Sequence, residues 1–277
     1  MSSLSPAVNR IDQAFQAAKQ RGKAALIPFI TVGDPNINTS IEIILELEAA
    51  GADMLELGVP YSDPLADGPV IQRSSGRALE NHITIKECIR VARTCREKGS
   101  QLPFILFTYF NPVLQSGLEL FFELLRENDI SGLIIPDLPI EESGQIREMS
   151  IQYGIHLIPL VAPTSNERIS KIAAGAQGFI YCVSSLGVTG SRSDFHSDIE
   201  DFLASVKRST SLPIVVGFGI SNQEQVSRFA KLCDGVVVGS AIVRSIEESL
   251  PLLVKEETKS EGLLQIHKFV AELNEPK

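Results

Sequence analysis

Pro213-Ile214-Val215-Val216-Gly217-Phe218-Gly219-Ile220-Ser221, followed after one helical stretch by Gly235-Val236-Val237-Val238-Gly239-Ser240-Ala241, decides the architecture of this chain. Each segment is a β-branched apolar run that ends on glycine. The runs show no polar alternation, so both faces of each strand are expected to be buried, as in a parallel sheet covered by helices. Between them, residues 222–231 have the spacing of an amphipathic helix. The same unit recurs along almost the whole chain. Strands are predicted at 25–31, 53–57, 104–108, 132–136, 155–161 and 178–183, besides 213–217 and 235–238. Further amphipathic helices are predicted at 41–50, 85–98 and 118–128. Eight strands alternating with helices point to the α/β class and a (β/α)8 TIM barrel forming a single domain over residues 1–277. A doubly wound open sheet gives no reason for eight units, and no G-x-G-x-x-G follows the first strand.

An extra N-terminal helix at 6–20 is expected to plug the lower mouth, and the chain closes with helices at 241–255 and 261–273. Two connections, 58–84 and 184–197, are much longer than their neighbours. Both follow strands, which places them at the C-terminal mouth where barrel enzymes work.

Composition narrows the field. Apolar residues make up 44% and charged residues 21%, as in a folded globular protein. The net charge of −9, with no basic cluster, makes nucleic acid and anionic membrane poor partners. The first thirty residues lack a signal-peptide pattern, and no apolar run is long enough to span a bilayer. Cys88, Cys95, Cys182 and Cys233 form neither a CxxC pair nor a disulfide framework, so a reduced, cytoplasmic location is expected.

The chemistry begins at residues 55–69, LELGVPYSDPLADGP. Glu56 lies inside an apolar strand, where a carboxylate is rare unless it is paired or used. Asp67 follows in a proline-stiffened loop; alone, Asp-Gly reads as turn chemistry. Facing each other, the two could hold one proton near neutral pH, with the pKa of Glu56 raised by burial and a nearby anion. Asp34 and Asp63, each before proline, read as structural, and Asp137 ranks below the pair. Tyr181, in the sixth strand, could hydrogen-bond a carboxylate or simply fill the core. Phe29, Phe107 and Phe218, near strand ends, would make a flat apolar wall suited to a planar ring.

Gly217-Phe218-Gly219 after the seventh strand and Gly239-Ser240 after the eighth mark a phosphate site, because backbone amides and a helix start meet there. Gly187-Val188-Thr189-Gly190 offers further amides and a hydroxyl on a candidate lid. No lysine sits in a strand or at its exit, which removes a Schiff base, and the four histidines are scattered, so no metal site is expected. What remains is carbon–carbon or proton chemistry on a phosphorylated substrate, carried by carboxylates. A phosphosugar isomerase is the more distant alternative.

From Pro28-Phe29-Ile30-Thr31 through LELGVPYSDPLADGP, GVTG and GFGIS to Gly239-Ser240-Ala241-Ile242, the chain closely resembles the tryptophan synthase alpha subunit family. The resemblance implies retro-aldol cleavage of indole-3-glycerol phosphate to indole and glyceraldehyde 3-phosphate. It implies no cofactor in this chain and a pyridoxal-phosphate (PLP) beta subunit as partner, in an α2β2 heterotetramer. Glu56 would be the acid–base group at indole C3 and the glycerol hydroxyl, and Asp67 the group that holds the indole N–H. Tyr181 would support the glutamate, and Thr189 would reach Asp67 on lid closure. Gly190, Gly219, Gly239 and Ser240 would cradle phosphate, and Phe29, Ile71, Phe107 and Phe218 would line the indole pocket. The loop at 60–69 and the segment at 136–139 would face the beta subunit. Ser184-Ser185-Leu186 departs from family members that carry an arginine-bearing segment before the lid. A free-standing lyase and a silent activator of the beta subunit remain open on the sequence alone.

Overall fold

The computed structural model describes residues 8–164, 166–183, 195–217 and 219–275. Among them run nine parallel strand segments: β1 (Ala25–Thr31), β2 (Leu55–Gly58), β3 (Phe104–Phe107), β4 (Ile130–Ile134), β5 (His156–Leu157), β6 (Leu160–Val161), β7 (Ile180–Val183), β8 (Ile214–Gly217) and β9 (Gly235–Val238). Their order is β5-β4-β3-β2-β1-β9-β8-β7-β6. The two ends of this order are halves of one stretch. β5 pairs with β4, and β6, two residues later, pairs with β7. Ile158 N–H donates to Leu133 O at 2.9 Å, and Tyr181 N–H donates to Pro159 O at 3.0 Å, so the fifth strand closes the ring. Eight strands therefore make the barrel, the fifth of them broken at Ile158-Pro159. Proline removes a ladder donor at that point.

The period-two alternation of the strands sorts the core into two parts. Leu26, Ile30, Leu55, Leu57, Leu106 and Val216 point outward under the helices. Ala25, Ile27, Phe29, Met54, Ile105, Phe107, Tyr181, Val215 and Val237 point inward. This alternation carries Glu56 to the inside, one step above Met54.

The lower mouth is closed by α1 (Arg10–Gln20), which Asn9 caps by accepting the Ile11 N–H. The Asn9 amide also donates to the carbonyls of Ser131 and Gly154, which ties the helix under β4. Ile11 and Phe15 rise into the inner core, where Phe15 meets Phe179 edge-on at 5.5 Å. A Cβ on Gly132 would lie 2.7 Å from the end of the Ile11 side chain, so a larger residue there would have to displace Ile11 from its seat.

The helices otherwise fall between the strands, with α2 at Ile37–Ala49, α4 at Ile85–Glu97, α6 at Leu118–Glu127 and α10 at Gln223–Phe229. α4 opens with a reciprocal Thr84–Glu87 capping box. The chain ends with α11 (Ser240–Leu253) packed on α12 (Lys259–Asn274). One expectation needs amendment. The 58–84 connection is not all loop, because Pro69–Glu80 forms α3, with Pro69 at its start. Ser74-Ser75-Gly76 dilutes the helical signal in its middle. Helices α5 (Phe110–Ser116), α7 (Gly144–Tyr153), α8 (Asn166–Ala174) and α9 (Phe195–Ser209) complete the ring.

Candidate active site at the barrel mouth

Glu56 sits on the inner face of β2, in register with Phe29 of β1 and Ile105 of β3. It is 1% exposed, and its Oε1 has no hydrogen-bond partner among the described residues. Burial alone pushes its pKa up to about 8. The sequence reading expects a nearby anion to share in this, and none contributes. A carboxyl desolvated this far is protonated at neutral pH and becomes a strong base once it has given up its proton.

Tyr181 of β7 is also buried, and its phenol is held well above the usual range by burial first and by the charge of Glu56 second. The ring lies across the end of β8, where a Cβ on Gly217 would come within 2.2 Å of the hydroxyl. Gly217 therefore has to be glycine for the tyrosine to reach this position. Phe29 and Phe107 meet edge-on at 5.6 Å, and Ile71 of α3 packs against the same inner cluster. Gly58 permits the Phe29 ring, since a Cβ there would lie 2.4 Å from it. Three of the four residues expected at the ring pocket thus share one apolar wall beside Glu56. The fourth, Phe218, lies outside the described residues.

Asp67 is half-buried in the loop that leads into α3. Partial burial raises its pKa, and a hydrogen bond from the Tyr109 hydroxyl opposes this. The same hydroxyl accepts the Ala66 N–H at 2.9 Å, and Tyr61 stacks on the Tyr109 ring at 4.9 Å. The Gln72 amide donates to the Asp67 carbonyl at 2.8 Å. Asp67 is therefore held at both its side chain and its backbone. Tyr109 was not among the expected site residues, although its place just beyond β3 is the same strand-exit signal that singles out Phe107. Asp137 accepts the Phe110 N–H at 2.9 Å, so it anchors α5 next to Tyr109. Asp34 and Asp63 are engaged elsewhere, Asp34 with Arg77 and Ser74, and Asp63 with Ser62.

On the opposite side of the mouth, Gly219 has φ +78°, a left-handed conformation suited to glycine. Gly239 precedes α11 and, having no side chain, makes no cap hydrogen bond to the first amides of that helix. A Cβ on Gly239 would be 3.6 Å from Phe29, which sets the helix start beside the apolar wall. Gly239 and Ser240 are both partly exposed there. Thr189, Gly190 and the Ser184-Ser185-Leu186 segment lie outside the described residues. Among the described residues, no three His, Cys, Asp or Glu side chains come together as a metal site. No described helix is long and apolar enough to cross a membrane.

Comparison with known proteins agrees with this geometry. The family model for the tryptophan synthase alpha chain matches residues 15–275. The tryptophan synthase alpha chain of Geobacillus sp. (strain WCH70) is 55% identical over 254 residues, covering 92% of this chain and 97% of the relative. That of Bacillus subtilis (strain 168) is 50% identical over 255 residues, covering 92% and 96%. Among solved structures, tryptophan synthase subunit alpha from Legionella pneumophila superposes with a TM-score of 0.86 at 35% identity, over 96% of this chain and 97% of that one. A mouth carrying a buried strand carboxyl, a pinned loop aspartate and a helix that starts on Gly239, in a chain matched over nearly its whole length at this identity, makes the chain a member of the tryptophan synthase alpha chain family.

Proposed function

We propose that Glu56 and Asp67 carry the lyase reaction of this alpha chain, the cleavage of indole-3-glycerol phosphate to indole and glyceraldehyde 3-phosphate. The single observation that carries the assignment is Glu56, a fully buried carboxyl with a pKa of about 8 beside the apolar cluster of Phe29 and Phe107. Protonated Glu56 donates to indole C3, which leaves positive charge on the ring. Asp67, whose carboxylate accepts a hydrogen bond from the Tyr109 hydroxyl that opposes the upward pull of burial on its pKa, accepts the indole N–H and stabilises that charge. The Glu56 carboxylate then takes the proton of the glycerol hydroxyl. The carbon–carbon bond breaks, its electrons return to the ring, and indole and the aldehyde separate. One proton leaves Glu56 and one returns, so the chain needs no external acid.

The amides at Gly219, Gly239 and Ser240 suit the phosphate, with Gly190 adding a further amide from the lid and Thr189 reaching Asp67 on closure. Replacing Gly219 or Ser240 with glutamate is expected to weaken glycerol 3-phosphate binding about tenfold or more, since a fixed carboxylate competes for the same amides. Calorimetry checks this, and unchanged affinity would remove those residues from the phosphate site.

The partner is a PLP-dependent beta subunit, in a cytoplasmic α2β2 assembly that passes indole between active sites. Leu65, at the tip of the working loop, is 86% exposed, which fits a surface that a partner covers. The deciding experiment incubates the purified chain with indole-3-glycerol phosphate, with and without a beta subunit, and measures indole. Release stimulated by the beta chain supports the whole reading. High release with no stimulation indicates a free-standing lyase, and no release under either condition removes the catalytic assignment.

A further inference from the structure

Outside the residues that meet substrate, a partly buried ionic cluster joins three elements of the mouth. Asp34, just beyond β1, is 2% exposed. It receives Arg77 Nε on Oδ1 and Arg77 Nη2 on Oδ2, both at 2.8 Å, and the Ser74 hydroxyl at 2.5 Å. Arg77 also sends Nη1 to Glu247 Oε1 at 2.8 Å. Arg73 then grips the same carboxylate with two bonds, Nε to Oε1 at 2.9 Å and Nη2 to Oε2 at 2.7 Å. Both arginines stand on α3, one helical turn apart, and Glu247 stands on α11.

A bidentate Arg77–Asp34 pair alone would satisfy the buried charge. The contacts to Glu247 add something else, because they join two helices that each begin at a working part of the mouth. α3 starts two residues after Asp67 and holds the Asp67 carbonyl through Gln72. α11 starts at Ser240, and Glu247 lies seven residues on, two turns along the same face. Fixing α3 against α11 therefore fixes the loop aspartate relative to the amides at the start of α11. Helices are stiff over two turns, so an error at Glu247 is carried to both ends.

We propose that Arg73, Arg77 and Glu247, keyed to Asp34, are positioning residues that set the span between the Asp67 loop and the start of α11, and thereby select for the length of ligand bridging them. The inference rests on the function proposed above. The ligand class is an aromatic heterocycle joined through a three-carbon polyol to a phosphate monoester. Ring and phosphate each bind locally, but the linked molecule has to satisfy both ends at one fixed separation.

The test compares the linked substrate with its two halves in the full-length chain. In Glu247→Gln, kcat/KM for indole-3-glycerol phosphate should fall about 10- to 100-fold. Affinities for indole alone and for glycerol 3-phosphate alone, measured by calorimetry, should each change less than about threefold. Retained binding of both halves rules out a folding defect. Arg73→Met, at a side chain that is 53% exposed and so tolerant of change, should shift the same ratio in the same direction by a smaller factor, and Arg73→Lys should recover part of it. Equal losses for substrate and halves, or a substrate kcat/KM within about threefold of the parent, would overturn the proposal. A second arm needs no turnover: amide hydrogen exchange over residues 61–68 should quicken about tenfold in Glu247→Gln. If the parent chain releases no indole while this exchange quickens, the proposed function fails and the clamp stands. Unchanged exchange sinks the clamp.

Discussion

Glu56→Gln should lower indole release by at least ~100-fold and, in the same protein, gain stability over the parent as the pH rises. The two effects share one cause. The folded chain holds the Glu56 carboxyl at a pKa of about 8, against an ordinary value of 4.5. Between those values the folded state keeps a proton that the unfolded state has released. The parent therefore loses stability as the pH climbs from 4.5, and the loss levels off above 8. Glutamine, which has no proton to lose, escapes this penalty. The advantage of the variant should be near zero at pH 4 and should reach a few kcal/mol at pH 8, growing by roughly 1.4 kcal/mol for each step of one in pH across that window. Urea unfolding at pH 5 and pH 8 measures it. A stability difference that does not grow with pH would mean that Glu56 is not a buried acid. The parent enzyme should also lose kcat/KM along an alkaline limb near pH 8, as the acid form disappears.

Asp67→Asn is expected to cost at least ~100-fold in turnover with little change in stability, because the side chain is only half-buried on a loop. Asparagine keeps the shape but carries no charge to balance the protonated ring. Tyr109→Phe tests the support of the aspartate. Losing the hydroxyl removes the hydrogen bond that lowers the pKa of Asp67, so the acid limb of kcat/KM should move to higher pH. It also frees the Ala66 N–H, and turnover should drop about tenfold. An acid limb that stays in place in Tyr109→Phe would separate the hydroxyl from Asp67. Normal indole formation by Asp67→Asn would remove Asp67 from the chemistry.

The barrel was legible because its strands are apolar on both faces, and β2, β8 and β9 run into glycine. β1 and β9 begin and end where the apolar runs at 25–31 and 235–238 do. β4 begins two residues earlier than its apolar run, because pairing with Phe104 draws Ile130 and Ser131 into the ladder. Ser131 and Gly132 have weak intrinsic preference for a strand, so only the neighbouring strand reveals their place. α3 stayed hidden for a related reason, since Ser74 and Ser75 owe their burial to tertiary packing and Ser74 to its bond with Asp34. At the site, Glu56 was readable from a charge in an apolar run, and its burial follows from strand alternation. Tyr109 was not, because an aromatic residue at a strand exit has many ordinary explanations and its contact with Asp67 spans 42 positions, 109 minus 67. The Arg73–Arg77–Glu247 cluster was equally hidden, since α3 and α11 are brought together only when the ring closes.

The broken fifth strand divides the molecule in a way that matters for its substrate. Glu56 and Asp67 belong to the half that runs from β1 to β5, and Gly219, Gly239 and Ser240 belong to the half from β6 to β9. The halves meet along the β1–β9 ladder and again at Ile158-Pro159, where hydrogen bonding passes from one neighbour to the other. A guest whose ring rests in one half and whose anionic tail rests in the other spans both seams like a cross-brace. Occupancy should therefore slow exchange of the backbone amides where the halves meet at Ile158-Pro159, well away from any atom the guest touches.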